Sequence, residues 1–250
     1  SRRLEVWLVA HGTEVWRAFS ASEQEALRAA TGILCVSDYT RRELAARCPG
    51  IDPGRLRVQP NALDPQFEAP LAARAGAPGA ILTVSRLCRD DAYKGIDDLI
   101  RALPAIREKI PHACLTVIGD GDDRARLEAL ARDLAPGAVT FAGRVSDAAL
   151  REAFNTCQLF ALPSRGEGFG LVYIEAMAHG KPCLAVAAAG APEVVDVRSG
   201  VIARPGDIAD IADQASAALS RPWNTGALHD RAAEFSYSRF KARLSHALAA

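Results

Sequence analysis

No C-x-x-C pair occurs in the sequence, although it holds six cysteines, most of them inside apolar runs. That pattern argues against a zinc knuckle or a disulfide frame and predicts the reduced, buried thiols of a cytosolic protein. The five histidines show no ligand spacing, so no structural metal is expected. Neither charge is in excess, with 30 basic residues against 30 acidic ones, which speaks against nucleic acid or an anionic membrane as partner. No stretch reaches the roughly 18 apolar residues of a membrane span. The opening SRRLEVWLVAHG lacks the long apolar segment of a secretory signal, because Glu5 interrupts it. No internal repeat or low-complexity tract stands out.

What is present is a chain of 250 residues, 49% apolar, enough for one large or two modest domains. Short apolar runs alternate with helical patterns. ILTVS (81–85) precedes a helix from Gly95 to about Lys109, CLTVIG (114–119) one from Asp123 to about Leu134, and VTFAG (139–143) one near Asp147–Asn155. LFALP (159–163) and CLAVA (183–187) flank another. Continuous apolar strands separated by amphipathic helices predict a parallel sheet covered on both faces. The expected fold is thus α/β, with a doubly wound, Rossmann-like domain over residues 68–222. Residues 1–67 repeat the pattern for only about two and a half units, in LEVWLVA, ILCVS and LRVQP with helices near Ser22–Ala30 and Asp38–Arg47. They read as the end part of another α/β domain whose beginning is absent. The Pro-, Ala- and Gly-rich stretch 60–79 reads as the linker, and one last helix is expected over about Thr225–Leu248.

The most informative stretch is SRGEGFGLVYIEAMAHGKP, Ser164 to Pro182. It follows a buried strand at the carboxyl edge of the sheet, where open α/β sheets bind ligands. Gly166, Gly168 and Gly170 permit sharp turns and close approach, and a helix from about Leu171 is stopped by Gly180 and Pro182. The free amides of Phe169, Gly170 and Leu171 then form an anion site without a Walker lysine. Glu167 would repel phosphate, so it should face something neutral that carries hydroxyls. Glu175, on the same helix face as Leu171, is placed for a diol one step back from the phosphates. The alternative is an ordinary loop glutamate and a solvent-facing one. Arg86 and Lys94, in a second strand–helix loop at the same edge, would compensate a diphosphate, unless they are plain surface cations. Gly119 and Gly121 begin like a dinucleotide fingerprint, but Arg124 occupies the last glycine position, and a loop lining the same crevice fits better. After Gly143, the exposed backbone of Arg144 and Val145 suits the edge of a base, or is a plain turn.

These residues resemble a known family. RGEGFGLVYIEAMAHGKP looks like the E-x7-E segment of retaining GT-B glycosyltransferases of the family-four group. The likeness extends, in order, through VSDYTRREL (36–44), PNALDPQF (60–67), SRL…KG (85–95), VIGDG (117–121), FAGRV (141–145), LFALPS (159–164), GAPEVV (190–195) and ARPGD (203–207). The resemblance implies a GT-B-type fold in which the 68–222 domain binds a nucleotide sugar, 1–67 belongs to the acceptor side, and 223–250 crosses back to it. It implies that Arg86 and Lys94 hold the donor diphosphate, Glu167 the sugar hydroxyls, the Phe169–Leu171 backbone a phosphate, Glu175 the ribose, and Arg144 and Val145 the base. His11, otherwise a structural residue at a strand end, would face the sugar across the cleft. The implied reaction moves a hexose, such as mannose or glucose, from a GDP-, UDP- or ADP-linked donor to a glycan or lipid-linked acceptor, with retention and with no metal or other cofactor. The implied location is cytoplasmic, with peripheral contact at the inner face of a membrane through the absent region. Departures are Ala62 after Asn61 in place of the family's glycine, the CRDDAY insertion before Lys94, and Ala191 after Gly190 where the family has a second glycine. Two rivals stand beside this reading: a nucleotide-sugar-binding module without turnover, and a GT-B-like epimerase.

Overall fold

The computed structural model describes residues 4–65 and 74–249. The expected boundary at 67/68 and the middle of the expected linker lie outside the described residues.

The first unit runs β1 (Trp7–Ala10), α1 (Ala21–Ala29), β2 (Gly32–Cys35), α2 (Asp38–Arg47) and β3 (Leu56–Val58). Its three strands are all parallel, in the order β1-β2-β3. Serines start both helices. Ser20 and Glu23 form a reciprocal capping box on α1, and the Ser37 hydroxyl accepts from the Thr40 amide on α2. A small core of Ile33, Cys35, Leu44 and Leu56 lies between these layers.

The second unit runs β4 (Ala80–Val84), α3 (Ile96–Lys109), β5 (Cys114–Ile118), α4 (Arg124–Leu134), β6 (Val139–Gly143), α5 (Asp147–Thr156), β7 (Leu159–Ala161), α6 (Leu171–Ala178), β8 (Cys183–Val186), α7 (Ala191–Val194), β9 (Gly200–Ala203) and α8 (Ile208–Ser220). Its six strands are parallel, in the order β6-β5-β4-β7-β8-β9. The β7 and β8 runs are buried on both faces, as parallel strands under helices must be. Winding proceeds outward from β4 in one direction, then restarts from β7 in the other. The β4–β7 boundary is therefore the topological switch point, where diverging loops leave a crevice.

Tight backbone packing fixes that edge. Ser85 N donates to Ile118 O, and Gly119 N to Gly143 O, at 3.0 and 2.9 Å. Gly119 has φ 134°, and a Cβ there would lie 1.7 Å from Ser85 O. Gly119→Ala is expected to destabilise the fold by about 3 kcal/mol or more, read as a lower denaturant midpoint.

Two expectations need correction. The strand β9 is not among the runs read from sequence, and the last helix is two: α9 (Thr225–Ala233) and α10 (Tyr237–Ala249). The break is tertiary in origin. Phe235 turns inward to pack edge-on against Phe169 at 5.2 Å, and its carbonyl accepts from Leu63 N at 2.8 Å. The α10 helix lies against the first unit: Phe240 O accepts from Gln59 at 3.4 Å, and Ala247 O accepts from Arg57.

The six cysteines are free thiols; Cys35, Cys48, Cys157 and Cys183 are buried, whereas Cys114 is exposed. Burial pushes the Cys35 and Cys157 thiols up to about 12, which leaves them inert at neutral pH. Among the described residues no helix is long and apolar enough to cross a membrane.

Candidate active site

A cavity of about 680 Å³ opens at the switch point. From the loop after β4 it takes Ser85, Arg86 and Lys94, and from the loop after β7 it takes Glu167 and the segment Gly168–Val172. Gly119 and Asp120 line it after β5, and Arg144 and Val145 after β6. The opposite wall is His11, at the end of β1, with Asn61 from the connection between units.

Each polar group has a local reason for its position. The segment CRDDAY leads into two short 3-10 turns over Arg89–Lys94, kinked at Asp91 and closed by Gly95 in the left-handed region. This delivers Lys94 to the cavity, where its ammonium forms an ion pair with the Glu167 carboxylate; the side chains are only 18% and 10% exposed. The same segment carries Asp91, whose buried carboxylate holds the Arg86 guanidinium at 3.2 Å. Burial, and then a hydrogen bond to Asp91, push the Tyr93 phenol up to about 12. Arg86 itself is 74% exposed, so a ligand anion can reach its guanidinium beside Asp91. His11 sits in a turn held by Glu14, whose carboxylate accepts from the His11 and Gly12 amides.

Helix α6 begins at Gly170, which is left-handed at φ 92°, and no side chain caps it. Among the described residues no hydrogen bond takes up the amides of Phe169, Gly170 or Leu171. The Phe169 ring is buried in the core, so this residue offers the cavity its backbone. Three unpaired amides at a helix start, one exposed guanidinium beside Asp91 and one lysine shared with Glu167 gather donors that suit a di-anion at one edge of the cavity. Glu167 supplies the acceptor oxygens for hydroxyls beside it.

Ten of the twelve residues expected from sequence line this one cavity, and Gly121 and Glu175 do not. Gly121 serves packing: a Cβ would lie 2.2 Å from Leu87 O, where the loops after β4 and β5 cross. Glu175 is half-buried one turn along α6 from Leu171. Burial, and secondarily Asp64 on the connecting segment, push its carboxyl above the usual range. The sequence reading passed over Asn61, Asp120 and Asp91 as site residues. Asp91 carried no signal in the sequence, because what it does in the fold is hold the Arg86 side chain.

Fold and cavity together define an α/β protein of two parallel-sheet units facing each other across a cleft. Comparison with known proteins narrows this. The model of the glycosyl transferases group 1 matches residues 78–221, and that of glycosyltransferase family 4 matches residues 2–67. The chain belongs to the group 1 glycosyl transferases. It is 33% identical over 207 residues to a GDP-mannose-dependent alpha-(1-6)-phosphatidylinositol monomannoside mannosyltransferase of Mycobacterium tuberculosis, covering 74% of this chain and 52% of that one. Its likeness to the Mycolicibacterium smegmatis enzyme of the same name is 32% over 241 residues, covering 87% and 62%. The chain thus spans about half to three-fifths of these relatives' length. Among solved structures, Anabaena HepE in complex with UDP and glucose superposes with a TM-score of 0.78 at 21% identity, covering 98% of this chain and 72% of that one. The lipopolysaccharide outer core galactosyltransferase WaaB gives 0.73 at 21%, covering 88% and 62%. These likenesses establish the fold as GT-B.

Proposed function

We propose that the chain carries the donor site of a retaining hexosyltransferase that moves a hexose from a nucleoside-diphosphate sugar to a glycan or lipid-linked acceptor. One observation carries this reading: Arg86, the Lys94–Glu167 pair and the unpaired amides before α6 converge on a single cavity, with His11 on the facing wall. The relatives' dependence on GDP-mannose and the UDP and glucose held by HepE support the ligand class.

In this reading Arg86, Lys94 and the amides of Phe169–Leu171 bind the diphosphate, and Glu167 accepts from sugar hydroxyls. The base lies along the backbone of Arg144 and Val145, near Gly119, and Glu175, which lies outside the cavity, keeps no ribose role in this reading. The bond from the anomeric carbon to the diphosphate oxygen breaks as the acceptor oxygen bonds the same carbon on the same face. The acceptor proton passes to the leaving phosphate oxygen. Charge grows on the diphosphate during this step, so cations and fixed amides act most strongly at the transition state. These groups neutralise the leaving group without a metal.

Calorimetry with GDP, UDP and ADP, alone and as sugar conjugates, identifies the donor base. Arg86→Ala is expected to weaken the preferred nucleoside diphosphate about 10- to 100-fold, the worth of one charge-assisted contact. Unchanged affinity would reject its phosphate role. Donor binding with neither transfer nor hydrolysis would make the chain a binding module, and new sugar epimers by NMR would make it an epimerase.

A further inference from the structure

The four amides that open α2 have a complete set of acceptors, and two of these come from the other unit. Arg41 N donates to Ser37 O at 3.1 Å, and Thr40 N donates to the Ser37 hydroxyl. Asp38 N and Tyr39 N each donate to one oxygen of the Glu193 carboxylate, both at 2.8 Å. Glu193 lies in α7, 155 residues away from Asp38. A helix start is short of acceptors and carries partial positive charge, so a carboxylate from elsewhere is a strong partner for it.

Glu193 is itself held in place. Arg231 donates to Glu193 O at 2.6 Å and to Val194 O at 3.0 Å, which pins α7 to α9. At the start of α7, Gly190 N donates to Glu167 O at 2.7 Å. The residue whose side chain enters the cavity is thus bonded through its backbone to the turn that presents Glu193. On the other side, the Tyr39 ring packs edge-on against Trp16 at 5.3 Å. The Trp16 ring covers Gly12, next to His11, lying 3.2 Å from where a Gly12 Cβ would be. The contacts form a closed circuit from the Glu167 wall of the cavity through α7 and α2 to the His11 wall.

We infer that Glu193 is a positioning residue that ties α2 to the donor unit and thereby sets His11 over the cavity. The tether is a fact of the fold; its effect on transfer rests on the function proposed above. An extended contact chain does not by itself establish energetic coupling, so the test reads the bonds and their consequence separately.

Hydrogen exchange on the whole chain reads the bonds. In Glu193→Ala the amides of Asp38 and Tyr39 should exchange at least about tenfold faster, with the β4–β9 amides unchanged. Unaltered exchange at those two positions would overturn the tether whether or not the protein transfers sugar. Kinetics read the consequence. Transfer by Glu193→Ala should fall about tenfold in kcat while nucleoside diphosphate affinity stays within about threefold. Glu193→Gln, which keeps one acceptor oxygen and the packing, should fall between. Asp38→Pro removes one of the two amides at a position where helices accept proline, and Ser37 already has the extended backbone that proline requires, at φ −150° and ψ 162°. Asp38→Ala keeps the amide and controls for the lost side chain. The double variant of Glu193→Ala with Asp38→Pro should be no slower than Glu193→Ala alone. Additive losses would show two independent roles and overturn the inference. So would a loss of nucleotide affinity matching the loss of rate, because Glu193 would then act on the cavity loop rather than on the placement of His11.

Discussion

Glu167→Gln is expected to lower sugar transfer about 100- to 1,000-fold while nucleoside diphosphate affinity holds or rises slightly, measured as kcat beside a calorimetric Kd. The two readouts separate because Glu167 does not bind the phosphates. Its side chain is 10% exposed and paired with Lys94, so in the unliganded protein the carboxylate neutralises a cation the diphosphate would use. The amide variant keeps the shape and removes the charge, leaving Lys94 free to meet phosphate. What is lost is the acceptor for sugar hydroxyls, which matters most as the sugar gains positive character in the transition state. Near-normal turnover would remove Glu167 from the sugar site. A loss of nucleotide affinity equal to the loss of rate would mean that the pair holds the loop together instead.

How much of this was legible beforehand depends on the kind of signal. The β7 and β8 runs stand out because both faces are apolar, and the starts of α2 and α5 because Ser37 and Ser146 cap them. The strand β9 was missed: GVIA is four residues long and half-exposed at its middle, so neither length nor alternation marks it. The division of the last helix had one weak local sign, Ser236, whose hydroxyl accepts from Arg239 N at 3.4 Å. Its cause, the packing of Phe235 on Phe169, joins residues far apart in sequence. The same contrast holds in the cavity. Lys94, Glu167 and Arg86 sit in the loops that follow β4 and β7, the edge where topology places ligand contacts. Asp91 and Glu193 hold other groups in place, and only coordinates reveal what they hold. Glu175 shows the limit from the other side, since its helical phase matched Leu171, yet phase does not decide which neighbour covers the carboxyl.

The glycines of the loop after β7 divide in a way that sequence could not show, and this yields the second large effect. Only Gly170 is left-handed there, and a Cβ on it would strike the Tyr173 ring at 2.5 Å, so Gly170→Ala should distort the amides before α6 and weaken nucleotide binding. Gly168 has no such backbone demand. A Cβ on it would lie 1.8 Å from His11 O, and a Cβ on Gly190 would lie 2.3 Å from Gly168 O. Gly12 and Gly168 let the two walls of the cavity meet backbone against backbone, and Gly190 backs Gly168 from within the second unit. Gly168→Ala must separate His11 from the donor loop by an ångström or more, a displacement that costs about 100-fold when it falls between reacting groups. The expected result is transfer lowered about 100-fold with nucleoside diphosphate affinity within about threefold, because the residues proposed to bind phosphate, Arg86, Lys94 and Phe169–Leu171, all belong to the second unit. The unfolding free energy should fall by only about 1–3 kcal/mol, since the strain is relieved by parting two surfaces rather than by breaking a core. Normal turnover in Gly168→Ala would mean that the His11 wall need not close on the donor. Loss of nucleotide binding in that variant would move the fault to the phosphate site, where Gly170→Ala should produce it and Gly168→Ala should not.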